Sequence, residues 1–488
     1  MTTKISKMMK SDNIYRIARY GTFCFFAVVL TYIAYRSLAD WFLWYDEAGQ
    51  FYISKGLCHY SEPFAPYSGV CDVFHYNRYF NLDPGGFSVL LHYWSMLSNH
   101  YAYLRLLPLL FFLAFIFVAY KIGMQLFHDH FPAILLASVF LISPIITHLA
   151  GELRAYSMEM FGVLISLYYL KRIDNNLSIP KLLILALILN VFMTSRYDFV
   201  IYAFVISLCV IFIACKQNGF YKAILPIMIY SFVMLIGVAL VYFVSMRYQN
   251  ASAEPLSYLS YLGRDFRKLI TFDMSKRYYI IAGYVLFCHF KRIPQDFYIC
   301  ISLFVCTLYI VLSFANMIPW DEQRAMSATV CQRLAIGIML LRHLNGKKIV
   351  IVILLFGLCG LYKYRKYGGF SIRHSREGCT LYKEIEYCVK NKKCEELIFI
   401  GRWYNASIRY SFEEYDWGEK LVGVYPSQFY LGNANSHNQT GEKIVKDIKK
   451  AEDIDARFYI FSNLTLETVS PECFKKDEDF KYIYIKEQ

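Results

Sequence analysis

The chain has 488 residues, 57% of them hydrophobic and only 18% charged, with a formal net charge of +13. Soluble domains carry about a quarter charged residues, so this deficit, together with repeated apolar runs of spanning length, argues against a soluble enzyme and for a polytopic α-helical membrane protein. Lys and Arg gather at the ends of the apolar runs rather than in basic blocks interleaved with aromatics, so membrane lipid head groups are the expected partner and nucleic acid is not.

Lys4, Lys7, Lys10, Arg16 and Arg19 precede the first apolar run, 20–38, and hold the N-terminus in the cytoplasm. No cleavable signal peptide stands out. Directly after that run comes Trp41-Phe-Leu-Trp-Tyr-Asp-Glu-Ala-Gly-Gln-Phe-Tyr52, which places Asp46 and Glu47 where the chain leaves the bilayer. An acid pair at that boundary is costly unless something uses it, because ionisable groups near hydrocarbon lose hydration. The bland reading is a pair that caps a helix just outside the membrane. Its neighbours shift the balance toward catalysis.

The outside loop, 39–100, goes on to Asp72, His75, Arg78 and the turn Asp83-Pro84-Gly85-Gly86. Pro and Gly break the chain sharply there and could return Asp83 toward Asp46. Carboxylates in a partly dry cleft gain proton affinity, which suits a general base that accepts a hydroxyl proton. Asp72 and His75, taken singly, read more readily as parts of an ordinary polar loop. Cys58 and Cys71 share this loop and could pair in an oxidising compartment. The other cysteines show no CxxC spacing, and several lie within apolar runs. The apolar patch 85–97 is short for a crossing and reads as an interfacial or re-entrant helix.

Ten more runs read as spans: 101–121, 132–148, 155–170, 180–195, 198–215, 222–246, 278–290, 296–318, 326–343 and 347–363, with 278–290 short for the task. About eleven spans put Lys171-Arg172, Lys216, Lys222, Lys291-Arg292 and the stretch from Arg342 to Lys348 on the cytoplasmic side, as the positive-inside rule expects. Lys363, Arg365, Lys366, Arg373 and Arg376 run against it, but they lead into a long domain, which crosses largely regardless of charge. Outside, at the boundaries of the spans, lie Gly151-Glu152-Leu153-Arg154-Ala155-Tyr156-Ser157, Arg196-Tyr197-Asp198, and Arg324 in Pro319-Trp-Asp-Glu-Gln-Arg324. Three arginines on one membrane face can converge on a lipid phosphate through forked, charge-assisted hydrogen bonds. Each can equally be a snorkelling anchor or a local partner, Arg154 for Glu152 and Arg196 for Asp198.

Beyond residue 363 the composition changes. Glu395 to Ile400, Arg457 to Phe461 and Tyr482 to Ile485 read as buried strands, and Leu381 to Lys392 and Glu442 to Ala451 carry helical spacing. The expected organisation is a membrane module over 1–363 and a small C-terminal α/β domain over 364–488 on the outer face. That domain has no Gly-rich phosphate loop and no nucleophile motif, so a structural or acceptor-guiding role is expected of it.

The order of a span, Trp44-Tyr45-Asp46-Glu47-Ala48, a long loop with Asp83-Pro84, then Glu152-Leu-Arg154-Ala-Tyr156-Ser157 and a late Gln323-Arg324 resembles membrane glycosyltransferases of the GT-C fold. It is most similar to the branch of bacterial aminoarabinose transferases and protein O-mannosyltransferase relatives, over roughly residues 1–360. The resemblance implies a sugar donor carried on polyprenyl phosphate, a reaction centre at an acid of the first outside loop, which Asp46 matches with Glu47 beside it, and Arg154 and Arg324 facing the lipid phosphate. Relatives often carry two consecutive prolines where this chain has Asp83-Pro84-Gly85-Gly86, a departure that leaves the role of Asp83 open.

The resulting expectation is an inverting transfer of the sugar to a hydroxyl of a glycan, lipid or protein acceptor at the periplasmic face of a bacterial inner membrane. Asp46 and Glu47 are the catalytic candidates; Asp83, Arg154, Tyr156, Arg196 and Arg324 are the substrate-binding ones. No cofactor is firmly implied; a divalent metal on the carboxylates and His75 is an option, and a water-exposed acidic loop is the commoner explanation. The rival reading is a transporter or lipid flippase. It fits less well, because the ionisable residues concentrate at one surface and no matching second half is evident.

Overall fold

The computed structural model describes residues 13–39, 43, 45–57, 66–80, 83–248, 273–314 and 325–343, and five strands between 397 and 486. The chain divides into two compact units, one of Met1–Ala39, Leu82–Phe87 and Arg105–Phe370, the other of Asp40–Asn81, Ser88–Leu104 and Ser371–Gln488.

The first unit is helical. In chain order it contains α1 (Asn13–Ala39), most of α5 (Tyr101–Phe127), α6 (His130–Leu141), α7 (Pro144–His148), α8 (Tyr156–Asn175), α9 (Ile179–Met193), α10 (Asp198–Asn218), α11 (Phe220–Val244), α12 (Asp273–Phe290), α13 (Phe297–Phe314) and α14 (Met326–His343). Four helices among the described residues are long and apolar enough to cross a membrane: Arg19–Ala39, Tyr101–Phe127, Asp198–Asn218 and Phe220–Tyr248. His130–Leu141, Ile179–Met193 and Phe297–Ser313 are shorter apolar helices. Each expected span up to 326–343 overlaps one of these elements, and 347–363 lies outside the described residues.

One expected span, 132–148, is not a single helix. Pro144 lacks the N–H a continuing helix needs and drives the preceding Ser143 to an extended conformation, φ −79° and ψ 111°. The chain therefore stops α6, which Asp129 caps by accepting from the Phe131 amide at 3.0 Å, and restarts as α7.

Helix α8 lies at the centre of this unit, packed against α9, α10 and α14. Its burial extends round most of its circumference, from Tyr156, Ser157 and Glu159 through Leu164 to Ile173, as expected for a helix enclosed by other helices. Helix α11 is the opposite case. Phe232, Leu235, Leu240 and Phe243 are more than half exposed, an apolar face that water would not tolerate and that hydrocarbon suits. A polar contact ties it to its neighbour: Asn190 of α9 donates to the Val233 carbonyl at 2.8 Å.

Short connections make α8 to α11 run antiparallel in succession. The tightest is the single residue Gly219 between α10 and α11, at φ 74° and ψ 159°, a conformation essentially reserved for glycine. Gly219→Ala is expected to cost about 1–3 kcal/mol, read as a lower unfolding temperature in detergent. An added methyl would meet nothing within 4 Å, so the strain is in the backbone alone. This alternation sorts charge by end. Lys171, Arg172, Lys181, Lys216 and Lys222 lie at one end of α8–α11, whereas Tyr156, Arg196 and Asp198 lie at the other.

The second unit holds α2 (Tyr45–Ser54), α3 (Val70–Phe80), most of α4 (Gly86–Ser95) and a five-stranded sheet: β1 (Leu397–Gly401), β2 (Leu421–Pro426), β3 (Phe458–Ser462), β4 (Phe474–Lys476) and β5 (Ile483–Lys486). The strand order is β2-β1-β3-β5-β4. β1 pairs in parallel with β2 and β3, and β5 is antiparallel to β3 and β4. β1, β3 and β5 coincide with the three segments expected as strands. β2 and β4 were not expected, and both are edge strands: β2 is interrupted by Gly423 and ends in Pro426, while β4 is three residues long with two lysines, features that suit an edge. The expected helices at 381–392 and 442–451 lie outside the described residues.

Candidate functional site

In the second unit, Asp46 and Glu47 occupy the first turn of α2, where the positive end of the helix favours an acid, as the capping reading holds. Their environments differ. Glu47 is fully buried and Asp46 is only partly so. Helix α2 is tied to α4 and α3 by a chain of buried hydrogen bonds: Gln50 Nε2 donates to Ser88 Oγ at 2.7 Å, and Ser88 Oγ donates to Asn77 Oδ1 at 2.7 Å. His92 Nδ1 lies 2.7 Å from the Ser54 carbonyl. Asp46 thus sits on a short helix held by a satisfied polar network, a mounting that fixes a reactive group. Asp72 stands in the first turn of α3 and accepts from Ser68, so it belongs to a helix and not to the polar loop expected of it. Cys71 is exposed, and Cys58 lies outside the described residues.

In the first unit, charged residues from distant parts of the chain meet. The Arg196 guanidinium, between α9 and α10, has its Nε 3.3 Å from Asp198 Oδ1, 3.5 Å from Glu159 Oε2 and 3.7 Å from Asp83 Oδ1. Its side chain is 13% exposed. Burial alone would favour the neutral base, but the carboxylates of Asp198, Glu159 and Asp83 more than reverse that, raising the pKa above the ordinary arginine value. Arg196 is therefore a permanent charge shared among three acids. Its Cζ also lies 4.3 Å from the centre of the Tyr156 ring, and Arg154 Cζ lies 5.1 Å from the same ring. Two guanidinium groups thus use one aromatic side chain. Arg154, one fifth exposed, pairs with buried Glu152 at 3.9 Å. The two local pairings considered from sequence, Arg154 with Glu152 and Arg196 with Asp198, are both present.

Three helices begin at this cluster. Glu159 stands in the first turn of α8, Asp198 opens α10, and Ser327 is the second residue of α14. Each N-terminus contributes roughly half a positive charge, which helps to hold an excess of carboxylates at low exposure. Ser327 Oγ donates to Glu159 Oε1 at 2.6 Å, and Tyr309 Oη donates to the Asp198 carbonyl at 2.6 Å. Removing the donor, as in Ser327→Ala, leaves a buried carboxylate oxygen short of a partner. The expected cost is about 1–3 kcal/mol, checked by thermal unfolding in detergent against wild type.

Asp83, Arg154, Tyr156 and Arg196 are therefore neighbours, and Arg324 lies outside the described residues. Glu159 and Ser327 belong to the same cluster and were not singled out from sequence. The available signal for Glu159 was a lone acid in the apolar run 155–170, three residues beyond Tyr156 and so on the same helix face. Among the described residues no group of three or more His, Cys, Asp or Glu side chains is arranged to hold a metal ion. The three acids that do converge, Asp83, Glu159 and Asp198, are arranged around the Arg196 guanidinium.

No family model and no curated protein matches this chain. Among solved structures it is similar to an Archaeoglobus fulgidus oligosaccharyltransferase in complex with Zn and sulfate, with a TM-score of 0.45 and 11% identity over 94% of this chain and 73% of that one.

Proposed function

We propose that the chain is an integral-membrane glycosyltransferase of GT-C type that moves a sugar from a polyprenyl-phosphate donor to an acceptor hydroxyl at the outer face of the membrane. The observation that carries this reading is the meeting of Asp83, Glu152, Arg154, Tyr156, Glu159, Arg196 and Asp198 at one end of the apolar helices. The other end of α8–α11 is lysine- and arginine-rich, which supports a cytoplasmic location for it and an extracytoplasmic, periplasmic one for the cluster. The motif Trp44-Tyr45-Asp46-Glu47-Ala48 supplies the family resemblance.

In this mechanism the acceptor hydroxyl attacks the anomeric carbon of the donor sugar, the bond from that carbon to the phosphate oxygen breaks, and the configuration inverts. Asp46 takes or orients the hydroxyl proton, and Glu47 behind it is held in the buried base of α2. The departing polyprenyl phosphate keeps the electron pair. Its charge is met by the positive groups of Arg154 and Arg324, which act where charge develops. The C-terminal segment 364–488 guides the acceptor.

The test is purified protein supplied with a polyprenyl-phosphate sugar and candidate acceptors. Release of free polyprenyl phosphate that requires an acceptor is the expected result. Movement of the intact donor across a vesicle membrane with no cleavage is the outcome a flippase gives, and it overturns the proposal.

A further inference from the structure

Resting on the sugar-transfer reading, we propose that Arg196 is a positioning residue that clasps the Asp83–Gly86 turn to the end of α9, so that Asp83 meets the hydroxyl groups of the substrate at a fixed height above the spanning helices. Two contacts of different kinds join the same two turns. Arg196 faces Asp83 at 3.7 Å, and the Gly86 amide donates to the Thr194 carbonyl at 2.9 Å. Thr194 and Arg196 are two residues apart, as Asp83 and Gly86 are three apart, so the pair of contacts fixes orientation as well as distance. A single ion pair leaves a turn free to pivot.

The glycine is required by the fit. A Cβ at Gly86 would lie 2.0 Å from Thr194 Oγ1 and 2.8 Å from the Thr194 carbonyl oxygen. Gly85 beside it has φ 100°, a left-handed value that lets the chain turn directly after Pro84. The clasp is also anchored on the membrane side. Asp198 and Glu159 hold the same guanidinium from the first turns of α10 and α8, and Ser327 holds Glu159. Arg196 therefore stays with the helices, and the Asp83 turn is located by it. This accounts for the Asp-Pro-Gly-Gly sequence: an acid for the guanidinium, a sharp turn, and a residue small enough to dock.

Two variants separate the clasp from mere folding. Arg196→Lys keeps the charge that the three carboxylates need but loses the planar fork. Gly86→Ala leaves every ionic group in place and blocks the docking. Hydrogen exchange of the peptide containing residues 83–87 is measured beside peptides from α8 and α10, together with initial rates at varied donor and acceptor. Both variants are expected to speed exchange at 83–87 and leave α8 and α10 as in wild type. Both should lower kcat by up to about 10²-fold, the scale of an ångström-sized misplacement, with donor KM little changed. Asp83→Asn, which removes the carboxylate that faces Arg196, should likewise speed exchange at 83–87 and lower kcat. Unchanged exchange at 83–87, or faster exchange with undiminished kcat, overturns the clasp. Wild-type protein that releases no polyprenyl phosphate overturns the sugar-transfer reading instead, while the exchange result still judges whether the turn is clasped.

Discussion

Asp46→Asn is expected to slow sugar transfer by roughly 10²–10⁴-fold, the contribution of a positioned general base. The substitution is nearly isosteric, and Asp46 is only partly buried in the first turn of α2. The fold should therefore survive with little loss of thermal stability. Loss of rate with retained stability, and with donor binding unchanged in a filter or fluorescence assay, assigns Asp46 to the chemical step. A folded Asp46→Asn variant with undiminished transfer would refute the assignment and move attention to Asp83.

Arg154→Gln is expected to lower kcat by roughly 10²–10³-fold, the range for loss of one preorganised group at a developing negative charge. Arg154 is more exposed than Arg196, 20% against 13% of the side chain. A phosphate arriving from the membrane boundary can therefore engage it with less disruption. Arg154→Lys discriminates between roles. It keeps a cation over Tyr156 but cannot offer a forked pair of donors, so partial rescue indicates a need for charge, and none indicates a need for the fork. If Arg154→Gln changes only thermal stability and leaves kcat intact, its task is confined to neutralising Glu152.

Much of the helical architecture could be read from the chain because long apolar runs allow few alternatives: α1, α5, α10 and α11 announce themselves by length and hydropathy. The break between α6 and α7 was hidden because Ile142-Ser143-Pro144 interrupts an otherwise continuous run, and averaging over a window removes the effect of a single proline. The same averaging concealed Glu159, one acid among apolar neighbours. In the sheet, β1, β3 and β5 show unbroken apolar stretches, whereas the edge strands β2 and β4 carry the Gly, Pro and Lys that normally argue against a strand. The candidate site was legible as residue types and as boundaries of spans. The sharing of Arg196 among Asp83, Glu159 and Asp198 was not, because it depends on which helices become neighbours, and local pattern is silent about that.

The one-residue junction at Gly219 has a consequence for biosynthesis. Two hydrocarbon-loving rods joined so tightly cannot be released into lipid one after the other, since the second is already turning back when the first is complete. Entry of the two together, as a hairpin, is what so short a junction is expected to favour. A polar substitution in α11 that would bar a lone segment can then be carried in by α10, so defects there should surface later, as faulty packing of an already embedded protein.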